Sequence, residues 1–429
     1  MIAALMVVTG QTAEPPGTTE PIDPNAQWPH WRGPIGNGVS TTARPPIRFS
    51  DTVNVRWKTA MPGRGSGSPV VYGDTVYVTS ETPAASGANA GSDANSNSGA
   101  RDFNLHAIDI ADGKMRWTRT AVTATPHEST HSTNTFASAS PCTDGKMVYA
   151  FFGSRGLHAF TIDGDPVWSK DFGSMVMRGG FGEGASPTLY GDRIVVPWDH
   201  QGRSQLFVLD KTTGDVVWQV DRDEPSNWGT PIVVHHRGID QVIVTGENLV
   251  QSYDLATGES LWQCGGQTLR PVASPVAADG VVYVTSGFRG SFLAAIDLSA
   301  RGLVTAGNGL RWSAGRDTPD LASPVLSGDK LYYTKGKTGL LTCVDPATGR
   351  PYYQTQRIQG IRTLYASPIA AGGHIYITDR SGTVVVIKDD HRFQPVAINR
   401  LGQPVDATPA AAGPSLYIRG SRDLFCISK

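Results

Sequence analysis

The chain is poor in cysteine: four in 429 residues, none adjacent to another and none in a C-x-x-C step. That leaves no C-x-x-C-H for haem attachment and no thiol pair to read as a redox motif. Cys142, Cys264, Cys343 and Cys426 each sit in or beside a strand-like stretch, so they are expected to be small buried apolar residues. Charge of one sign is lacking too: 37 Lys and Arg balance 38 Asp and Glu for a net charge of -1, which points neither to nucleic acid nor to an acidic tail. Long Leu/Glu/Lys stretches of helical type are scarce, while 49 Gly and 29 Pro favour many short strands and tight turns. No apolar run is long enough to span a bilayer. The N-terminal "MIAALMVVTGQTAEPP" resembles the apolar core and cleavage zone of a secretory signal without its basic start, with a cut expected near Val8, Gly10 or Ala13. Residues 1–13 are therefore expected to be a signal segment, and no Cys follows to carry a lipid anchor.

What the chain has is repetition. A Ser/Thr-Pro step recurs eight times, with its hydroxyl residue at Ser68, Ser140, Ser186, Thr230, Ser274, Ser323, Ser367 and Thr408. The spacings are 72, 46, 44, 44, 49, 44 and 41. The long one contains "TPAASGANAGSDANSNSGAR" (82–101), which has the composition of a disordered loop. Each unit reads alike: a short apolar strand after the Pro, a "GD" or "DG" turn, an aromatic-rich strand, a strand ending in Asp, a Gly turn, and a fourth strand carrying Trp. "AIDIADGKMRW" (107–117), "VLDKTTGDVVW" (208–218) and "SYDLATGESLW" (252–262) show the last hairpin plainly. Four strands in roughly 40–45 residues is the signature of a propeller blade. The eighth unit stops after three strands, and "NVRWKTAMPG" (54–63) matches the missing fourth. The expected fold is all-β: an eight-bladed propeller of four-stranded antiparallel blades over 55–429, its last blade closed by the N-terminal strand, with a Pro/Gly-rich arm over 14–54.

The A-x-D-x-x-T-G-x-x-x-W phrase resembles the repeat of pyrroloquinoline-quinone-like (PQQ-like) β-propellers, and "WPHWRGPIGNGVS" (28–40) resembles an opening found in secreted PQQ-like propellers of planctomycete-type bacteria. That superfamily includes quinoprotein alcohol dehydrogenases and BamB-type outer-membrane assembly proteins. The resemblance implies a non-catalytic, periplasmic or secreted binding and assembly scaffold without a cofactor. The alternative is a PQQ- and Ca²⁺-dependent alcohol or sugar dehydrogenase, or a component of a carbohydrate-processing system. Family enzymes of that kind carry a vicinal Cys-Cys pair over the quinone and a Glu/Asn/Asp calcium set. This chain has no Cys-Cys and no D-x-D-x-D-G loop.

One literal metal motif occurs, His127-Glu128-Ser129-Thr130-His131. A zinc protease needs those two His on one helical face. Here the flanks "TATPHESTHSTNTF" are dense in poor helix formers, so the segment reads as a loop, with His127 and His131 as the only metal candidates. "GRGSGS" (63–68) and "GGFGEGAS" (179–186) precede strands and lack the Gly-Lys-Ser/Thr ending of a phosphate loop. Most extra chain length, at 82–101, 120–136 and 171–184, falls in loops of one face; "LVTAGNG" (303–309) decorates the other. Long loops gathered on one face mark the surface that acts. Arg64, Arg178, Arg270, Arg316 and Arg362 precede five of the repeated Pro residues, with Trp228 in a sixth loop. They are expected to form a basic mouth for an anionic small molecule or polysaccharide, or for an envelope or secreted protein. The ring is expected to stand as a monomer.

Overall fold

Eight antiparallel sheets follow one another along the chain and close into a ring. The computed structural model describes residue 23, residues 26–84 and residues 97–429. The expected signal segment and most of the 82–101 insertion lie outside the described residues. Blade 1 is Val70–Tyr72, Thr75–Pro83, Arg101–Asp109 and Met115–Ala124; blade 5 is Val276–Ala278, Val281–Ser286, Phe292–Asp297 and Leu310–Ala314; the others follow the same order. The first strand of each blade lines the axis, against the first strands of its neighbours. Blade 8 has three strands from the C-terminal end of the chain, and Val55–Ala60 adds the fourth by pairing antiparallel with Asp423–Ile427, Trp57 opposite Cys426. The described residues contain no α-helix.

Burial follows radial position. In blade 5 all six residues of Val281–Ser286 are buried, because neighbouring blades cover both faces, whereas the outer strand Leu310–Ala314 alternates half-buried and exposed. The apolar core is divided into clusters that lie between adjacent sheets, as with Tyr77 and Leu105 of blade 1 against Val148 and Phe160 of blade 2. All four cysteines are free and buried in the sheets.

Two features explain the repeated letters. The first is a closed ring of hydrogen bonds at the axis. The Ser68 amide donates to Ser140 Oγ, Ser140 to Ser186, Ser186 to Thr230, Thr230 to Ser274, Ser274 to Ser323, Ser323 to Ser367, Ser367 to Thr408 and Thr408 back to Ser68, all at 2.8–3.0 Å. The second lies at the rim. The fourth-strand Trp of one blade covers the turn Gly of the next, and its indole N–H donates to a carbonyl of that turn: Trp57 to Ile110, Trp117 to Ile162, Trp168 to Lys211, Trp218 to Leu255 and Trp312 to Pro346. Gly214 shows why glycine is needed there: its φ is +76° and a Cβ would stand 2.6 Å from the Trp168 ring.

Both insertions differ from expectation. Thr82 and Pro83 pair with Asp102 and Arg101, so the ends of the 82–101 stretch lengthen a blade 1 hairpin instead of forming loop. Pairing is favoured because the hairpin strands already run in register. The 303–309 insertion is more than decoration: Gly302–Leu303 adds a parallel fifth strand to the outer edge of blade 4. It covers that edge, and Trp262 there is fully buried, its indole donating to Gln241 of its own blade.

Ser274→Ala leaves the buried Thr230 amide without an acceptor and is expected to cost about 1–3 kcal/mol in denaturant unfolding, while Ser274→Thr, which keeps the hydroxyl, costs much less. Gly214→Ala is expected to lose more stability than Gly191→Ala. Both positions have positive φ, but only Gly214 has a ring within 4 Å of the new methyl, so equal losses would refute the interlock.

Candidate functional site

The N-terminal arm crosses the channel at the end where the first and second strands turn. Trp28 exchanges both backbone bonds with Val71 of blade 1, at 2.9 and 2.8 Å. Pro29 O accepts from Thr143 of blade 2, and the Asn37 amide bonds the backbone of Ala277 in blade 5 in both directions. Arg32 donates to Pro324 O of blade 6; Val39–Ser40 pairs parallel with the inner strand of blade 7; the Arg44 amide donates to Gly413 O of blade 8. Arg32 is wholly buried with carbonyl partners, and burial pushes its guanidinium down to about 9. Gly38 must be glycine, since a Cβ there would lie 2.5 Å from that guanidinium. The arm is thus a stopper that contacts blades around most of the ring.

Above it, open to the loop-rich face, lies a well of about 400 Å³. Trp31 lines this well and also the crevice on the opposite side of the arm, so it forms the partition between them. The wall has two levels. One is the hydroxyl ring, of which Ser68, Ser140, Ser186, Thr230, Ser367 and Thr408 reach the well. The other is the residue two positions before each repeated hydroxyl, where strand periodicity returns a side chain to the same face. All eight line the well: Ser66, Ser138, Gly184, Trp228, Val272, Leu321, Tyr365 and Asp406. Blades 4 to 7 thereby present an apolar arc, and blades 8, 1, 2 and 3 a small or polar one.

The rim is aromatic and braced by ion pairs. Trp228 donates to Gly182 O at 2.7 Å and meets Phe181 edge to face; Phe181 in turn packs on His131 at 5.5 Å. Arg270 lies 3.9 Å over the Phe288 ring, and its Nη2 donates to both carboxylate oxygens of Asp320 at 2.7 and 3.0 Å. Arg380 stacks on Tyr365 and pairs with Asp406, whose carboxyl burial pushes upward. Glutamates pin the loops behind: Glu128 accepts from the Met177 amide, and Glu183 accepts from the backbone and hydroxyl of Ser154. Burial raises the pKa of both carboxyls.

Of the six residues expected at the mouth, Trp228 and Arg270 line the well. Arg178 stands outside its lining, paired with Glu247. Arg64 lies in an adjoining cavity and donates to Asn134 O at 3.2 Å. Arg316 and Arg362 are exposed and outside both linings. The His127–His131 segment is not helical. His127 is engaged by Met175 O and the Arg155 guanidinium, and His131 by Thr133, so the two rings serve different partners. Among the described residues no group of three His, Cys, Asp or Glu side chains is placed to hold a metal. Sequence reasoning missed Trp31, Phe288, Lys337 and the level two residues before the hydroxyls. That fixed offset was the available signal, because the repeated Ser/Thr had already been aligned.

The chain is 25% identical over 372 residues to the tetrathionate hydrolase of Acidithiobacillus ferrooxidans, an alignment covering 79% of this chain and 68% of that one. Among solved structures it resembles BamB from Moraxella catarrhalis (TM-score 0.55, 15% identity, 87% of this chain and 97% of that one). It also resembles quinohemoprotein alcohol dehydrogenase from Comamonas testosteroni (TM-score 0.62, 11% identity, 94% and 80%). At such identities these two structures speak for the fold alone. The family model PQQ_2, described as outer membrane protein assembly factor BamB, matches residues 41–176 and 157–391, most of the chain, and the protein belongs to that family.

Proposed function

We propose that the protein is a non-catalytic binding and assembly scaffold of the cell envelope, periplasmic or secreted, that receives a partner at its loop-rich face. The observation that carries this reading is the well itself. It is stoppered by the chain's own arm, is entered from the loop side, and is split into an apolar and a polar arc. A projecting segment of an envelope or secreted protein with one apolar and one polar side fits that split: its apolar side meets Trp228, Val272, Leu321 and Tyr365, and its polar side meets Asp406, Ser66 and Ser138. An anionic small molecule or polysaccharide is the other occupant the rim chemistry admits. Membership of the BamB family supports the assembly role.

The dehydrogenase alternative requires PQQ and Ca²⁺, and the lining does not fit them. A calcium-bound quinone needs a free carboxylate set. Among the described residues the one acid in the lining is Asp406, held by Arg380; Asp320 behind it is held by Arg270 and lies 3.6 Å from Lys337. No thiol lines the well. The hydrolase relative leaves a second enzyme class to test.

Capture of a specific partner from an envelope fraction by the wild type is expected to fall at least about tenfold with Tyr365→Ala or Leu321→Ser, since buried interface anchors are worth about 2 kcal/mol or more. Equal capture by all three proteins would refute the well as the docking point. Incubation with PQQ and Ca²⁺ is expected to give neither a bound quinone absorbance band nor dye-linked alcohol oxidation; either one would overturn the scaffold reading.

A further inference from the structure

Arg419 ends the second strand of blade 8, Ser415–Arg419, and is 1% exposed. Among the described residues none of its three guanidinium nitrogens has a hydrogen-bond partner. Asp423 acts on it through charge alone, and that carboxylate instead accepts from Gln403 at 2.8 Å. His106 is no counter-ion: burial and the nearby Arg419 push its imidazole down to about 4, so it is neutral. A buried charge without a partner is costly, and native proteins pair such groups.

Arg419 lines a cavity of about 200 Å³ on the loop-rich face, at the seam where blade 8 meets blade 1, with its guanidinium buried just behind the wall. The seam cavity is cationic. Its lining holds Arg64, Arg380 and Arg419 against a single carboxylate, Asp406, which Arg380 already occupies at 2.9 Å. Ser66, Ser132, Thr133, Thr135 and Ser421 add hydroxyl residues to the lining. A water's share of liquid volume is about 30 Å³, so the space holds a handful of waters or one small polyatomic ion. Ser66, Thr133 and Asp406 line the central well as well, so the two spaces adjoin.

We propose that this cavity is a binding site for a small oxyanion, a carboxylate, sulfate or phosphate group, taken up by the fork of Arg419 with Arg64 alongside. The planar guanidinium offers parallel donors that match two oxygens of such a group. The bound anion supplies the missing counter-charge at the seam that closes the ring. This site is separate from the partner-binding reading of the well and stands without it.

The test is thermal unfolding of the full chain, titrated with sodium sulfate, phosphate or acetate against sodium chloride at equal ionic strength, with calorimetric titration of the same anions. A saturable rise in Tm is expected for at least one anion, about 3 °C at roughly a hundred times its Kd. General salting effects do not saturate at low concentration. Whether sulfate, phosphate or acetate gives the tightest saturation separates a tetrahedral from a carboxylate ligand. Arg419→Met is expected to abolish the saturable rise and to leave Tm in chloride equal or higher, since it removes the unpaired charge. Arg419→Lys keeps the charge but loses the fork, and should weaken binding at least about tenfold. Trp228→Ala, at a residue that lines the well and not the seam cavity, should retain the anion response, so failure of the two readings can be told apart. No saturable response in the wild type, or an undiminished response in Arg419→Met, overturns the proposal. If Arg419→Met does not fold, Arg64→Gln decides the matter: unchanged anion affinity overturns it.

Discussion

Everything in this molecule depends on one backbone amide reaching one hydroxyl, eight times over. Each Ser or Thr before the repeated Pro accepts the amide hydrogen of its counterpart in the preceding blade, and the series returns from Thr408 to Ser68. A linear array of sheets would leave an amide unmatched at one end and a hydroxyl at the other. Eight blades leave neither. The proline next to each hydroxyl has no amide of its own and so makes no competing demand at that point. The hydroxyl ring sets the channel radius, and the outer Trp-on-Gly contacts set the angle between blades. The long insertions at 120–136 and 171–184 are left to vary because neither set of contacts involves them.

The channel so formed does not stay a channel. Residues 28–44 lay one polar or backbone contact after another against the inner strands, and Trp31 becomes a partition with a cavity on each side. The arm converts a ring with pseudo-eightfold symmetry into a vessel with a floor and a mouth. The well's wall then breaks the symmetry further, because the constant hydroxyl level sits beside a level whose residues differ in every blade. Scaffold and specificity are thus separated by two residues along the same strand entry. That separation is how a single repeat can serve proteins as different as an assembly factor and an oxidoreductase.

The fold was legible in the sequence because its determinants repeat. Ser/Thr-Pro, the turn Gly and the fourth-strand Trp recur at nearly constant spacing, and the missing strand of unit eight is spelled out at 54–63. The site was legible only in outline. The loop-rich face and Trp228 and Arg270 could be singled out. The fate of the other arginines could not, because an arginine's partner lies in another blade: Glu247 for Arg178, and Asp320 even for Arg270. The stopper was hidden for a different reason. "WPHWRGPIGNGVS" has neither strand nor helix period, since its conformation answers to several inner strands in turn and to no local rule. Arg419 was invisible for a third: it occupies an ordinary position in an ordinary strand, and only the shape of the seam reveals that its charge is unanswered.

The closing strand Val55–Ala60 has a consequence for how such a chain comes to be folded. It is made before seven complete blades, yet its partner Asp423–Ile427 follows only more than three hundred residues later in the chain. Until then blade 8 has a raw edge and blade 1 has only one neighbour. Local hairpins can form as the chain appears, but the final pairing bridges more than three hundred residues and must bear the loop-closure entropy of nearly the whole protein. The early strand has to be kept from pairing elsewhere in the meantime, since an unpaired strand invites any exposed edge. The ring is therefore a clasp whose two halves are made far apart along the chain, and the period between them is when the chain is most exposed to misassembly.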